Sequence, residues 1–134
     1  MINKYRPRII DRELSIRLKS IGAIVLEGAK WCGKSTTAEH HSNSAVFMDD
    51  PRRRSQYLIF AEDNPDLILN GETPRLIDEW QLAPMVWDAV RYTVDHRAGM
   101  GQFILTGSAK PANREKISHS GTGRFAWLRM RPMS

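Results

Sequence analysis

The sequence predicts an α/β fold in which a parallel sheet is covered by helices on both faces. An almost unbroken apolar run, Ile21-Gly22-Ala23-Ile24-Val25-Leu26-Glu27, reads as a strand buried on both sides. It leads into Gly28-Ala29-Lys30-Trp31-Cys32-Gly33-Lys34-Ser35-Thr36, which has the spacing G-x-x-x-x-G-K-[ST], and then into a short helical stretch over 35–41. Further apolar stretches that end in polar or acidic residues follow at 44–50, 74–79 and 102–108, separated by helical patterns.

Taken in order, Arg6-Pro7-Arg8 is an extended lead-in, and Asp11 is placed to cap a helix over 12–20. Leu14, Leu18 and Ile21 share one face of that helix and its exit. The first strand follows at 21–27, then the glycine-rich loop and its helix. A second strand over 44–50 runs into Asp49-Asp50 and is stopped by Pro51. Residues 52–62 read as helix, Asp63-Asn64-Pro65 as punctuation, and 66–71 as a short helix closed by Asn70-Gly71. Pro74-Arg75-Leu76-Ile77-Asp78-Glu79 is a strand delivering two acids. Pro84 opens a helix over 84–95, whose Val86, Val90 and Val94 recur every fourth residue and face the sheet, with Trp87 and Ala89 flanking as core. Residues 102–108 form a strand, 112–118 a short polar stretch, 119–124 a loop, and 125–130 a last strand with alternating faces.

The chemistry of the loop explains its spacing. Glycine lets the backbone turn and approach an anion closely, and successive N–H groups form an anion-binding nest backed by a helix start. Lys34 is placed to bridge β- and γ-phosphates, and the Ser35 hydroxyl to ligate Mg²⁺. Cys32, inside the loop, reads first as a small residue filling a tight turn and second as a thiol activated by Lys30, Lys34 and the helix N-terminus. Asp78, at a strand end, is the second expected Mg²⁺ holder, and Glu79 directly after it is the expected base for an attacking water.

Composition narrows the classes. The chain has 134 residues, enough for a single core, and one cysteine, which excludes an internal disulfide framework and fits a reducing cytoplasm. No apolar run reaches the roughly 18 residues of a membrane span, and the N-terminus is too polar for a secretory signal. The net charge of +5 permits contact with nucleic acid without establishing it. Its one dense run, Arg52-Arg53-Arg54, reads as a solvated loop or helix start.

Four stretches fall in one order: Gly28-x-x-x-x-Gly33-Lys34-Ser35, Leu76-Ile77-Asp78-Glu79-Trp80-Gln81, Ile104-Leu105-Thr106-Gly107-Ser108-Ala109 and His119-Ser120-Gly121-Thr122-Gly123-Arg124-Phe125. Together they resemble the prokaryotic AAA-type ATPases that usually carry a C-terminal domain of unknown function, over nearly the whole chain. The resemblance implies a three-layer P-loop NTPase fold with a five-stranded parallel sheet. In it the Asp78 strand is separated from the phosphate-loop strand by the one carrying Thr106. It implies ATP and Mg²⁺ as ligands, Thr106 as first choice and Ser108 as second for sensing the γ-phosphate, and Arg124 as an arginine finger that acts from a neighbouring subunit. Family members continue past Arg131-Pro132-Met133-Ser134, so the expectation is a single ATPase core over 1–134, shortened relative to the family and without a C-terminal lid.

The leading functional reading is Mg²⁺-dependent ATP binding by residues 28–36 with slow hydrolysis through Lys34, Glu79, Thr106 and Arg124, and with Ser35 and Asp78 on the metal. A nucleotide-binding module without turnover has the same motif residues. A P-loop kinase of small molecules is a third reading, disfavoured by the adjacent Asp78-Glu79 pair, which suits water activation.

Overall fold

The computed structural model describes residues 9–28, 33–97, 99–108 and 125–130. In chain order they form α1 (Ile9–Leu18), β1 (Ala23–Gly28), α2 (Lys34–His40), β2 (Ser44–Phe47), α3 (Arg54–Asp63), α4 (Asp66–Leu69), β3 (Arg75–Asp78), α5 (Met85–Arg97), β4 (Phe103–Gly107) and β5 (Phe125–Met130). The strands make one five-stranded sheet in the order β2-β3-β4-β1-β5. Every pairing is parallel. The α/β class, the strand count and the placement of β4 between β1 and β3 are as the resemblance implied.

Two apolar clusters show why the strands are buried on both sides. Val25, Ile77, Phe103 and Leu105 face one way, onto Ala61, Ile68, Leu69, Val86, Trp87, Val90 and Val94 of α3, α4 and α5. Ile24, Leu26, Leu76 and Ile104 face the other way, onto Leu14 of α1 and Ala38 of α2. Alternation along each strand therefore feeds two cores, and the result is three layers, with α1 and α2 on one face and α3, α4 and α5 on the other. The four-residue recurrence in α5 is buried as its periodicity predicted, and Leu18 and Ile21 join Leu14 on the α1 side.

Several boundaries differ from the sequence reading for local reasons. The first helix is already formed at Ile9, so Asp11 lies inside its first turn and does not cap it; its Oδ1 instead meets His41 Nε2 at 2.7 Å and ties α1 to the end of α2. Strand β2 stops at Phe47, because the Asp50 N–H turns back to the Phe47 carbonyl at 3.1 Å before Pro51. Helix α4 ends at Leu69, and Asn70 leaves it extended (φ −76°, ψ 129°), so no Asn-Gly left-handed cap forms. The buried Arg75 explains that exit: its Nε donates to the Ile68 carbonyl at 2.6 Å and a terminal nitrogen donates to Ser44 Oγ at 3.0 Å, pinning α4 to the start of β3. Between β3 and α5 the chain makes a 3₁₀ turn, Trp80–Leu82, that periodicity did not reveal.

Candidate nucleotide site

The parallel register brings the C-terminal ends of β1, β3 and β4 to one rim of the sheet, where Leu26 pairs with Thr106 and Ile77 with Leu105. This is the edge at which open α/β sheets bind ligands. At the same rim Gly33 adopts φ 91°, ψ 12°, a left-handed conformation natural to glycine, and its carbonyl accepts the Thr37 N–H at 3.0 Å as α2 begins. That turn sends Lys34 and Ser35 back over the strand ends. Of the loop residues named above, Ala29, Lys30, Trp31 and Cys32 lie outside the described residues, as does Arg124. Gly28 closes β1 opposite Met130.

The side chains converge. Lys34 is buried, and its Nζ lies 3.2 Å from Glu79 Oε2. Ser35 Oγ donates to Asp78 Oδ1 at 2.7 Å. Thr106 Oγ1 donates to the same oxygen at 2.6 Å and accepts the Glu79 backbone N–H at 3.0 Å. Thr106 is fully buried, so the hydroxyl proposed as a phosphate sensor is already engaged on both sides by the acidic pair. Ser108, the second choice, follows at the end of β4, half-buried.

Around these groups lies a cavity of about 440 Å³ lined by Gly33, Lys34, Ser35, Thr36, Asp49, Asp78 and Glu79. This volume is in the range of small-ligand sites. Burial pushes the Asp78 carboxyl above its usual range; the hydroxyls of Thr106 and Ser35 pull it back in part, and the charges of Glu79 and Asp49 push it further up. Asp78 is thus a carboxylate that a cation would relieve. With the Ser35 hydroxyl it offers hard oxygen donors, the set that suits Mg²⁺. Among the described residues no group of three His, Cys, Asp or Glu forms a metal cage. Mg²⁺ needs none, since it is held by one or two protein oxygens together with phosphates and water.

Two lining or neighbouring residues, Asp49 and Gln81, stood in stretches quoted above but were given no role by the sequence reading. Asp49 reaches the cavity because the Met48 N–H donates to the Asp78 carbonyl at 3.1 Å, which carries β2 alongside β3 just beyond its last pair. Its signal was visible as a second strand ending in acids. Gln81 donates to Glu79 Oε1 at 2.6 Å. Arg52, Arg53 and Arg54 are all exposed, and Arg52 lies 3.6 Å from Asp50.

A buried lysine and a hydroxyl at a glycine turn, set against two carboxylates at an adjacent strand end, define a P-loop nucleotide-binding core. A sequence model of the AAA domain matches residues 20–134, and the chain belongs to that family. It is therefore a nucleotide-binding, ATPase-like domain. No curated protein matches the chain. Among the described residues no helix is long and apolar enough to cross a membrane.

Proposed function

We propose that this chain is a single ATPase core that binds ATP with Mg²⁺ and hydrolyses it slowly, in the cytoplasm. The observation that carries the reading is the meeting of Lys34 and Ser35 with Asp78 and Glu79 around one cavity. In this reading Lys34 exchanges its Glu79 partner for the β- and γ-phosphates, while Ser35 and Asp78 hold Mg²⁺. The bound ion would neutralise charge on the phosphates and orient them. Glu79, freed from Lys34, accepts a proton from the attacking water. Thr106 holds Asp78 and Glu79 in register, through a side-chain bond to one and a backbone bond to the other. Slow turnover follows from the ion pair that must first open, and from Arg124, which acts from a neighbouring subunit as the family resemblance implies.

The test is an ATP titration with and without Mg²⁺, followed by phosphate release on the same sample. Lys34→Ala is expected to weaken ATP binding by about 10- to 150-fold, the value of a charge-assisted contact of about 1.5–3 kcal/mol. The upper end is expected, because Glu79 then faces the phosphates without its counter-charge. Affinity equal to that of the parent chain would place the site elsewhere.

Asp78→Asn separates metal from nucleotide. Asparagine keeps the oxygen that accepts from Ser35 and Thr106 but loses the charge, so the Mg²⁺-dependent gain in affinity is expected to vanish while Mg²⁺-free binding persists. Stability should move the opposite way. A carboxyl whose pKa is raised on folding holds its proton more tightly in the folded chain, so stability falls as pH rises from the ordinary carboxylate range through the raised value. The asparagine variant escapes that loss. Without nucleotide its melting temperature should exceed the parent's at pH 7 and approach it near pH 4. A Mg²⁺ response equal to the parent's would remove Asp78 from the metal.

A further inference from the structure

We propose that Gln81 is a positioning residue for Glu79: its side-chain amide holds the carboxylate at the cavity once nucleotide has taken Lys34. The proposal rests on the reading of Glu79 as the base for ATP hydrolysis, and it adds to that site a residue which acts only through Glu79.

The geometry begins at the end of β3. Glu79 is left-handed (φ 57°, ψ 51°), a conformation disfavoured for a residue with a Cβ, and the Thr106 hydroxyl holds its N–H there. The 3₁₀ turn that follows is closed by Leu82 N–H to the Glu79 carbonyl at 3.2 Å and Ala83 N–H to the Trp80 carbonyl at 2.9 Å. This turn folds Gln81 back over Glu79, and Nε2 donates to Oε1 at 2.6 Å. The amide orientation follows from charge. Turned over, it would set its oxygen against a carboxylate oxygen.

The other side of the amide is shaped by β4. The Gln81 oxygen is buried and accepts no hydrogen bond among the described residues. It lies 2.7 Å from where a Cβ on Gly107 would stand, with the Trp80 indole nitrogen 3.1 Å from the same point. Glycine at 107 therefore leaves the space that Gln81 and Trp80 occupy. Trp80 in turn packs on Trp87 of α5, ring centroids 5.3 Å apart, which anchors the turn to the core.

Glu79 is thus held by two different partners, Lys34 on Oε2 and Gln81 on Oε1. Phosphates compete for a cation. They do not compete for an amide N–H that already faces a carboxylate. When Lys34 turns to phosphate, Oε2 is released toward the cavity while Gln81 keeps the carboxylate from swinging out. An orphaned amide oxygen is the cost of holding the donor in this place.

Two variants attack the contact from opposite sides. Gln81→Met keeps the volume and removes the donor; Gly107→Ala keeps the amide and displaces it. Each is expected to lower kcat for ATP by about 10- to 100-fold, the scale of a small misplacement of a reacting group, with ATP affinity within about twofold of the parent. In a Glu79→Gln background neither variant should lower the rate further. Because Lys34 also holds Glu79 in the nucleotide-free protein, the crystal structure is taken in a Lys34→Met background, where adding Gln81→Met should displace the Glu79 carboxylate from its place in Lys34→Met alone. Unchanged kcat, an undiminished loss in the Glu79→Gln background, or a Glu79 carboxylate still in place in that crystal would each overturn the proposal. Absence of turnover in the parent chain would instead overturn the ATPase reading, and the crystal structure would then decide Gln81 by itself.

Discussion

Glu79→Gln is expected to lower ATP hydrolysis by about 10²- to 10⁴-fold, the usual contribution of a general base, while ATP binds as tightly as before or a few-fold more tightly. The two halves have separate causes. Glutamine keeps the length and leaves an oxygen to accept from Gln81, so the left-handed turn and the bond from Thr106 to the backbone N–H remain. It loses the basic carboxylate, and water activation goes with it. It also loses the charge that pairs with Lys34 at 3.2 Å. The ammonium no longer has to leave a carboxylate before it meets phosphate, which is why affinity holds or rises instead of falling. Phosphate release and ATP titration on both proteins measure the two halves. Hydrolysis at the parent rate would remove Glu79 from the chemistry, and a large loss of affinity would show that it binds nucleotide directly.

Trp87→Ala is expected to cost about 3–5 kcal/mol in global stability, the usual range for removing a buried large aromatic. Trp87 is 2% exposed. Its ring stacks on Phe125 with centroids 4.2 Å apart, and it packs against Trp80 at 5.3 Å and Trp127 at 5.5 Å. One side chain therefore joins α5, the turn after β3 and the edge strand β5. These neighbours belong to separate elements and cannot all close over the space left behind. Because Trp80 directly follows Glu79, the part of the variant that still folds should also turn over ATP more slowly. Denaturant unfolding of the two proteins measures the first effect. A loss under about 1 kcal/mol would mean that the aromatic cluster is not part of the core.

What was legible in the sequence is what short-range chemistry encodes. The spacing from Gly28 to Thr36 needs only backbone freedom, a cation and a hydroxyl in fixed order, so Lys34 and Ser35 were nameable without coordinates. Val86, Val90 and Val94 announced a helix face by their period, and all three are buried. The acids after Ile77 marked a strand end for the same reason. The four ordered motifs carried the strand arrangement, by resemblance and not by periodicity.

Tertiary structure decided what each group does to the next. Strands β1 to β4 are separated in sequence but lie side by side in the sheet, in the order β2-β3-β4-β1. Only that adjacency sets Ser35 and Thr106 on one oxygen of Asp78, pairs Lys34 with Glu79, and brings Asp49 to the cavity. Asp11 shows the same division: its position near a helix start suggested a cap, but a partner thirty residues away, His41, took its carboxylate. The left-handed turn at Glu79 and the 3₁₀ turn that returns Gln81 to it are held by Thr106 from β4 and by Trp87 from α5. Residue order specifies which groups arrive at a strand end. Which of them then share a proton, a charge or a hydrogen bond depends on contacts between distant segments, and those exist only once the sheet is paired and both its faces are covered.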